Sequence, residues 1–188
     1  MQVYACVYTA NGDFLLGTKP ALGYYFSSGG GSLHPNGQPL NGGGRYALPG
    51  GRRERGESTR DGAAREWQEE TACPMSINQA SSHEWGTAYG AGYFRQPDGD
   101  LQGMLDLITN DVLPAAALAV RDITNGTITA YPQIFALFPD APADNELAAM
   151  TLWNVVTDWA RIQQWDGDPT IGWYYNILKY LREDILGI

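Results

Sequence analysis

Glu66, Glu69 and Glu70 stand at i, i+3 and i+4 of a segment whose pattern predicts a helix over about Thr59–Thr71. Three carboxylates therefore share one helical face within a single turn. Like charges at that spacing weaken a helix by roughly a few tenths of a kcal/mol per pair. The surrounding stretch, Leu48 to Cys73, holds six acidic and five basic residues in a chain that is only 18% charged. A solvated acidic face is the bland explanation. Three neighbours argue for a built site instead. Glu57 adds a fourth carboxylate just before the helix. Gly50 and Gly51 permit close backbone approach and leave a carbonyl free as a hard oxygen donor. Arg65, next to Glu66 and four residues before Glu69, is placed to hold one carboxylate while the others bind something else. Oxygen donors clustered without His or Cys select Mg²⁺, Mn²⁺ or Ca²⁺ over zinc. Mg²⁺ held this way takes its remaining ligands from water and substrate phosphates, which points to metal-dependent phosphate chemistry.

The local signals are those of an α/β chain. Residues 2–9 alternate and are rich in Val and Tyr, Asn11-Gly12-Asp13 makes a turn, and "FLLGT" returns as a second strand. "RYAL" reads as a short strand leading into Pro49-Gly50-Gly51. Ser58 is the expected N-cap of the acidic helix, with Asp61 completing an acidic capping box. Pro74 closes the helix, because proline disfavours a helical residue before it. Strands are expected near 75–80, 84–95 and 101–109, at "QIFALF", and at "MTLWNVV". Residues 111–122 suit a short helix or an irregular segment. From Asp158 onward the spacing turns helical, with apolar residues at 171, 174, 177, 178, 181 and 185 forming a stripe. Residues 24–44, dominated by Gly, Pro, Ser and Asn, read as a long loop insertion without regular structure. Such a loop is either mobile or a flap beside a site. His34 within it reads first as a solvated side chain. No repeat or linker divides residues 1–188 into more than one domain.

The segment from Gly51 resembles a known family. It runs Gly51, five residues, Glu57, seven residues, then "REWQEETAC". This is similar to the Nudix box, and all of the box's polar positions are intact: Gly51, Glu57, Arg65, Glu66, Glu69 and Glu70. Trp67 stands where the box has an aliphatic residue, and Ala72 where it has glycine. The tryptophan needs a larger pocket beneath the helix. The alanine matters if its φ is positive, at a cost of about 1 kcal/mol.

The resemblance implies an α/β/α sandwich with a mixed sheet, the box forming a loop–helix–loop. It implies hydrolysis of a nucleoside diphosphate linked to another group by water attack on phosphorus, with Mg²⁺ or Mn²⁺ as cofactor. Glu66, Glu69 and Glu70 would be metal ligands, assisted by the Gly50 carbonyl. Arg65 would orient a glutamate, Glu57 first. Glu69 and Glu70 also carry the chemical step, and no unique general base follows. Relatives often add an acidic ligand before a late tryptophan-bearing strand. Glu146, seven residues before Trp153, fits that place, with Asp144 as its competitor. Arg52 and Arg53, beside Arg55, are candidates for substrate phosphates. Tyr89, sixteen residues past the box, is a candidate for stacking on a base. A Nudix-fold module that binds a nucleotide without cleaving it is the alternative reading.

A net charge of −9 with no basic stripe argues against a nucleic-acid duplex as partner. The expected partner is a small nucleotide. Cys6 and Cys73 give neither a bridge framework nor a zinc spacing, and suit small core residues in a reducing, cytoplasmic setting. The run "VLPAAALAV" is too short to span a bilayer, so no membrane association is expected. Family habit adds a homodimer, which the residues themselves do not show.

Overall fold

A computed structural model describes residues 1–188. Its centre is β1 (Gln2–Tyr8), whose alternation sets the layers. Tyr4, Cys6 and Tyr8 face one side of the sheet, and Ala5 and Val7 face the other. Both sides are covered, so the strand is apolar almost throughout. The predicted turn at Asn11–Asp13 leads into β2 (Asp13–Thr18), with Gly12 at φ 86°. Next come β3 (Leu22–Phe26), β4 (Ser32–Pro39), β5 (Tyr46–Ala47) and β6 (Gly50–Arg52). Helix α1 (Thr59–Thr71) is followed by β7 (Ala80–Trp85) and β8 (Tyr89–Arg95). Strand β9 (Ala149–Asn154) lies late in the chain. The seven-stranded sheet runs β5-β2-β1-β8-β7, with β6 paired on β1 and β9 on β2. β1 and β8 are parallel and the remaining pairs antiparallel, which makes the sheet mixed.

Helix α1 packs on the Ala5/Val7 side through Ala63 and Trp67. The opposite side is covered by the C-terminal segment, α5 (Trp159–Ile162) and α6 (Gly172–Tyr180). Ile171, Tyr174, Ile177, Leu178 and Leu181 are buried there, and Ile185, the sixth member of the stripe read from the sequence, is partly buried. The architecture is thus the expected α/β/α sandwich.

Four expectations are corrected. Residues 101–109 are not a strand. They begin a helical run made of α2 (Asp100–Leu107), a π-helical turn and α3 (Leu113–Thr124). Its buried side chains, Leu101, Met104, Ile108, Val112, Ala116 and Ala119, recur every three or four residues, which is a helical period. By length and composition alone this run could cross a membrane, although its nine-residue apolar part could not. "QIFALF" is helical up to Leu137, in α4 (Pro132–Leu137), with Pro132 in its first turn and Phe138 as its C-cap. The Gln133 side chain accepts from the N–H groups of Thr129 and Ala130. The strand expected at 75–80 lies instead at β7. Residues 24–44 are not structureless, because β3 and β4 form a two-stranded sheet turning through Gly29, Gly30 and Gly31, all at positive φ. Tyr25 anchors that hairpin in a small core with Ala119, Ile123, Ile128 and Ile134. Its prolines sit in an exposed pairing that tolerates them.

Candidate active site

Ser58 starts α1 as read from the sequence. Its Oγ accepts from the Asp61 N–H at 3.1 Å and donates to Asp61 Oδ2 at 2.7 Å. The helix ends at Ala72, which adopts φ 50°, ψ 9°. Here the box's glycine would be at ease and alanine is strained. Trp67 is wholly buried beneath the helix, and its Nε1 donates to the Cys73 carbonyl at 2.8 Å.

Arg65 is the hub of the site. Its Nε and Nη2 donate to the two oxygens of Glu57 at 3.0 and 3.2 Å. Nη1 donates to Glu66 at 2.9 Å and to Glu69 at 2.8 Å, and Nη2 also reaches the Arg52 carbonyl at 3.0 Å. Gly51 makes the approach of Glu66 possible, since a Cβ there would lie 2.6 Å from Glu66 Oε2. Glu70 turns the other way. It is fully buried and accepts the Gly50 N–H at 2.7 Å, while its Oε2 has no partner.

Burial dominates the electrostatics. It pushes the Glu66 carboxyl up to about 7 despite Arg65. It raises Glu69 against the same guanidinium, and raises Glu70 well above the carboxylate range despite Lys19. Glu57, by contrast, is held below its usual value, because Arg65 and the Glu54 N–H outweigh its burial. At Glu66, Glu69 and Glu70 desolvation outweighs the nearby Arg65 and Lys19.

A loop before β9 closes the site. The Asp144 N–H donates to the Glu69 carbonyl at 2.9 Å, and Asp144 Oδ1 accepts from the Ser27 N–H at 2.5 Å. Burial raises the Asp144 carboxyl in spite of those bonds from Ser27. Glu146 pairs with Lys19 Nζ at 2.5 Å. Burial of Lys19 favours loss of its proton, but Glu70 and Glu146 outweigh it and hold its pKa above the ordinary value.

Two cavities meet at Gly51. One of about 1230 Å³ is bordered by Glu57, Arg65, Glu66, Glu69, Arg52 and Arg53, and also by Asp144 and Glu146. Gly50 and Tyr89 border a second cavity of about 820 Å³, which Glu146 shares. Glu70 borders neither cavity and is buried behind Gly50, whose N–H it accepts. Arg53 is committed elsewhere, its Nη1 bonding Glu84 at 3.0 Å and Thr59 at 3.3 Å. Tyr89 stacks on Trp85 at 5.1 Å, and its hydroxyl accepts from Asn176 at 3.0 Å. Lys19 was missed in the sequence, although a lone lysine at the end of an apolar strand is a signal of a kind. Tyr174, which borders the second cavity, gave no signal beyond its place on the apolar stripe, and Trp173 beside it gave none.

The residues fit a hard divalent cation by their chemistry. Every donor is an oxygen, the Glu70 Oε2 is buried and unpartnered, and burial leaves the Glu66 and Glu70 carboxyls poorly solvated. Arg65 draws Glu66 and Glu69 to itself while Gly50 holds Glu70, and in this arrangement no three acidic side chains converge as a cage.

Solved structures similar to this chain include the following two. The MutT protein from Methanosarcina mazei Go1 is 17% identical, with 98% of this chain and 93% of that chain covered and a TM-score of 0.43. A mutT/nudix family protein from Listeria innocua is 17% identical, with 98% and 92% covered and a TM-score of 0.44. No curated protein matches. The sequence model of the NUDIX domain matches residues 3–108, more than half the chain, and so takes in β1, the whole of α1 and the parallel partner β8. The chain belongs to the Nudix family.

Proposed function

We propose that the protein hydrolyses the diphosphate linkage of a nucleoside diphosphate joined to a second group, using Mg²⁺ or Mn²⁺. The observation that carries this reading is the hub at Arg65, one guanidinium gathering Glu57, Glu66 and Glu69 beside the Gly51 turn. When bound, the cation polarises phosphoryl oxygens and lowers the pKa of an attacking water. Glu66, Glu69, the free Oε2 of Glu70 and the Gly50 carbonyl would hold it, with Glu146 joining from the loop before β9. Arg65 orients Glu57 through a two-nitrogen grip that a lysine cannot reproduce. Arg52 and Arg55 border the same cavity and would neutralise a phosphate there. Water attacks phosphorus, the anhydride P–O bond breaks, and the departing phosphate carries away the bonding pair. Glu69 borders the cavity as an acceptor for the released proton.

The test is a substrate panel with Mg²⁺ or Mn²⁺: ADP-ribose, dinucleoside polyphosphates, nucleoside triphosphates and nucleotide sugars, with products separated by chromatography. Cleavage that requires the cation and fails in Glu69→Gln and Glu70→Gln upholds the reading. No turnover of any of them, with a nucleotide still raising Tm, replaces it with a nucleotide-binding module.

A further inference from the structure

A hairpin of two strands is marginal without further support, and β3 and β4 pair only with each other, apart from the seven-stranded sheet. Tyr25 gives the hairpin an apolar footing against α3 and α4. Its polar footing is the dipeptide Asp144-Asn145, buried in the loop before β9. The register of β3 on β4 shifts between Gly23 and Tyr25, and at that break the Tyr24 N–H donates to Asn145 Oδ1 at 3.0 Å. The Asn145 N–H donates in turn to the Tyr25 carbonyl at 3.0 Å. Gly23 permits this approach, since a Cβ there would lie 2.9 Å from the Asn145 carbonyl oxygen. One residue earlier, Asp144 Oδ1 accepts the Ser27 N–H where β3 ends, and the Asp144 N–H donates to the Glu69 carbonyl. That carbonyl is among the last of α1, which a helix leaves without partners of its own. These four bonds run to backbone groups of two distant segments. They fix where the strand and the helix lie, whatever side chains those segments carry.

We propose that Asp144 is a positioning residue: with Asn145 it fastens the β3–β4 hairpin to the acidic helix as a fixed wall of the larger cavity, and it does not itself bind the cation. This rests on the diphosphate reading above. Phe26 and the turn at 27–30 border that cavity together with Arg52 and Arg55, so a phosphate among the arginines meets the hairpin as well. The carboxylate of Asp144 has its place set by the hairpin backbone. Glu146, two residues on, is paired with the side chain of Lys19 and is the acidic group able to turn toward a cation. Leu147, next in the chain, is buried with Trp67 in the core under α1. One clamp therefore sets the hairpin wall, the end of the acidic helix and the start of the segment that carries Glu146. A wall that touches bound substrate before and during the chemical step contributes to binding in both states, so its loosening acts on KM more than on kcat.

The first measurement needs no substrate. Amide hydrogen exchange of the full chain, read by mass spectrometry, compares the wild type with Asp144→Ala, Asp144→Asn and Asn145→Ala. Exchange across residues 22–39 is expected to quicken ~10-fold or more in the two alanine variants, while β1 and β8 keep their wild-type rates. Asp144→Asn keeps an acceptor for the Ser27 N–H and should stay within about threefold of the wild type. The second measurement takes whichever substrate of the panel is cleaved fastest. Asp144→Ala should raise KM by ~10-fold and leave kcat within about threefold, with Asp144→Asn recovering most of the loss. The Mg²⁺ concentration giving half the maximal rate should stay within about twofold in every variant, which loss of a cation ligand would not allow. Asn145→Ala carries the test if Asp144→Ala does not fold. Unchanged exchange at 22–39 in the alanine variants that fold overturns the proposal. So does a ~10-fold higher Mg²⁺ requirement in Asp144→Asn, which would make Asp144 a ligand. Exchange quickened at 22–39 with no turnover of any substrate would overturn the hydrolase and keep the clamp. Cleavage whose KM ignores Asp144 and Asn145 would do the reverse.

Discussion

Arg65 grips Glu57 across eight residues, Nε to Oε1 at 3.0 Å and Nη2 to Oε2 at 3.2 Å. The same guanidinium holds Glu66 and Glu69. One residue therefore fixes a loop carboxylate relative to two helical ones. Arg65→Lys keeps the charge and loses the planar fork. We expect kcat/KM to fall ~10–100-fold, as when an outer partner of a metal ligand is removed. Stability should fall by only about 1–2 kcal/mol, since Arg65 is partly exposed. Steady-state kinetics and urea unfolding check this, and an unimpaired kcat/KM in the variant would remove Arg65 from its role.

Glu70 offers a separation of stability from function. Its Oε1 accepts the Gly50 N–H, and burial holds its pKa well above the usual range. Glu70→Gln keeps an acceptor for Gly50 and removes a poorly solvated negative charge. The metal-free variant should melt within a few degrees of the wild type while losing ~100-fold or more of its turnover. Calorimetry in chelator beside an activity assay decides it. A large drop in Tm would mean that the charge is structural, as the counterpart of Lys19.

Glu66 links stability to pH in the metal-free protein. Its carboxyl is pushed up to about 7 by burial, against an ordinary value of 4.5. Between those values the folded chain keeps a proton that the unfolded chain releases. This contribution to stability is present in full below about pH 4.5 and lost as pH rises through about 7. The loss amounts to roughly 3 kcal/mol. Melting in chelator from about pH 5 to about pH 8 should show a decline that Glu66→Gln reduces. Added Mg²⁺ should raise Tm more at the higher pH, where the carboxylate is free to bind it. A wild-type and variant slope that coincide would show that Glu66 does not titrate in this range.

Ala72 closes α1 at φ 50°, the only non-glycine residue with positive φ. Ala72→Gly should stabilise the protein by about 1 kcal/mol and raise Tm by ~2–4 °C, with activity unchanged. Differential scanning calorimetry suffices. A lower Tm would mean that the unfolded chain gains more freedom from glycine than the helix end gains in relief.

Trp67 fills the space beneath α1, where relatives of the box carry an aliphatic residue. Trp67→Leu should cost about 2–3 kcal/mol, through a cavity and through the Cys73 carbonyl left without its indole donor. A loss below about 1 kcal/mol in urea unfolding would show that the core collapses around leucine.

The acidic helix was legible because its signals are local. Ser58 and Asp61 start it, Pro74 follows its end, and the glutamates repeat within one turn. The apolar stripe from Ile171 to Leu181 was legible for the same reason, as was the alternation of Tyr4, Cys6 and Tyr8 against Ala5 and Val7. Residues 101–109 and "QIFALF" misled because short apolar runs satisfy both periods. For the first, the helical spacing emerges only over the whole run to Ala119. The hairpin at 22–39 misled in the opposite sense, since its composition forbids an independent strand pair. It forms because Tyr25 has α3 and α4 to pack against.

By itself, then, the sequence determined the carboxylate-bearing helix and the hard-cation chemistry it invites, because each is written within a few residues, while the layered fold came from the resemblance those residues carry. Tertiary structure alone decided the pairing of Lys19 with Glu146, 127 residues apart. It also decided the tie of Asp144 to Ser27, and the cavity that Tyr4, Phe26 and Trp173 build together. No local pattern encodes these contacts. They follow from where the sheet, the hairpin and the C-terminal helix come to rest.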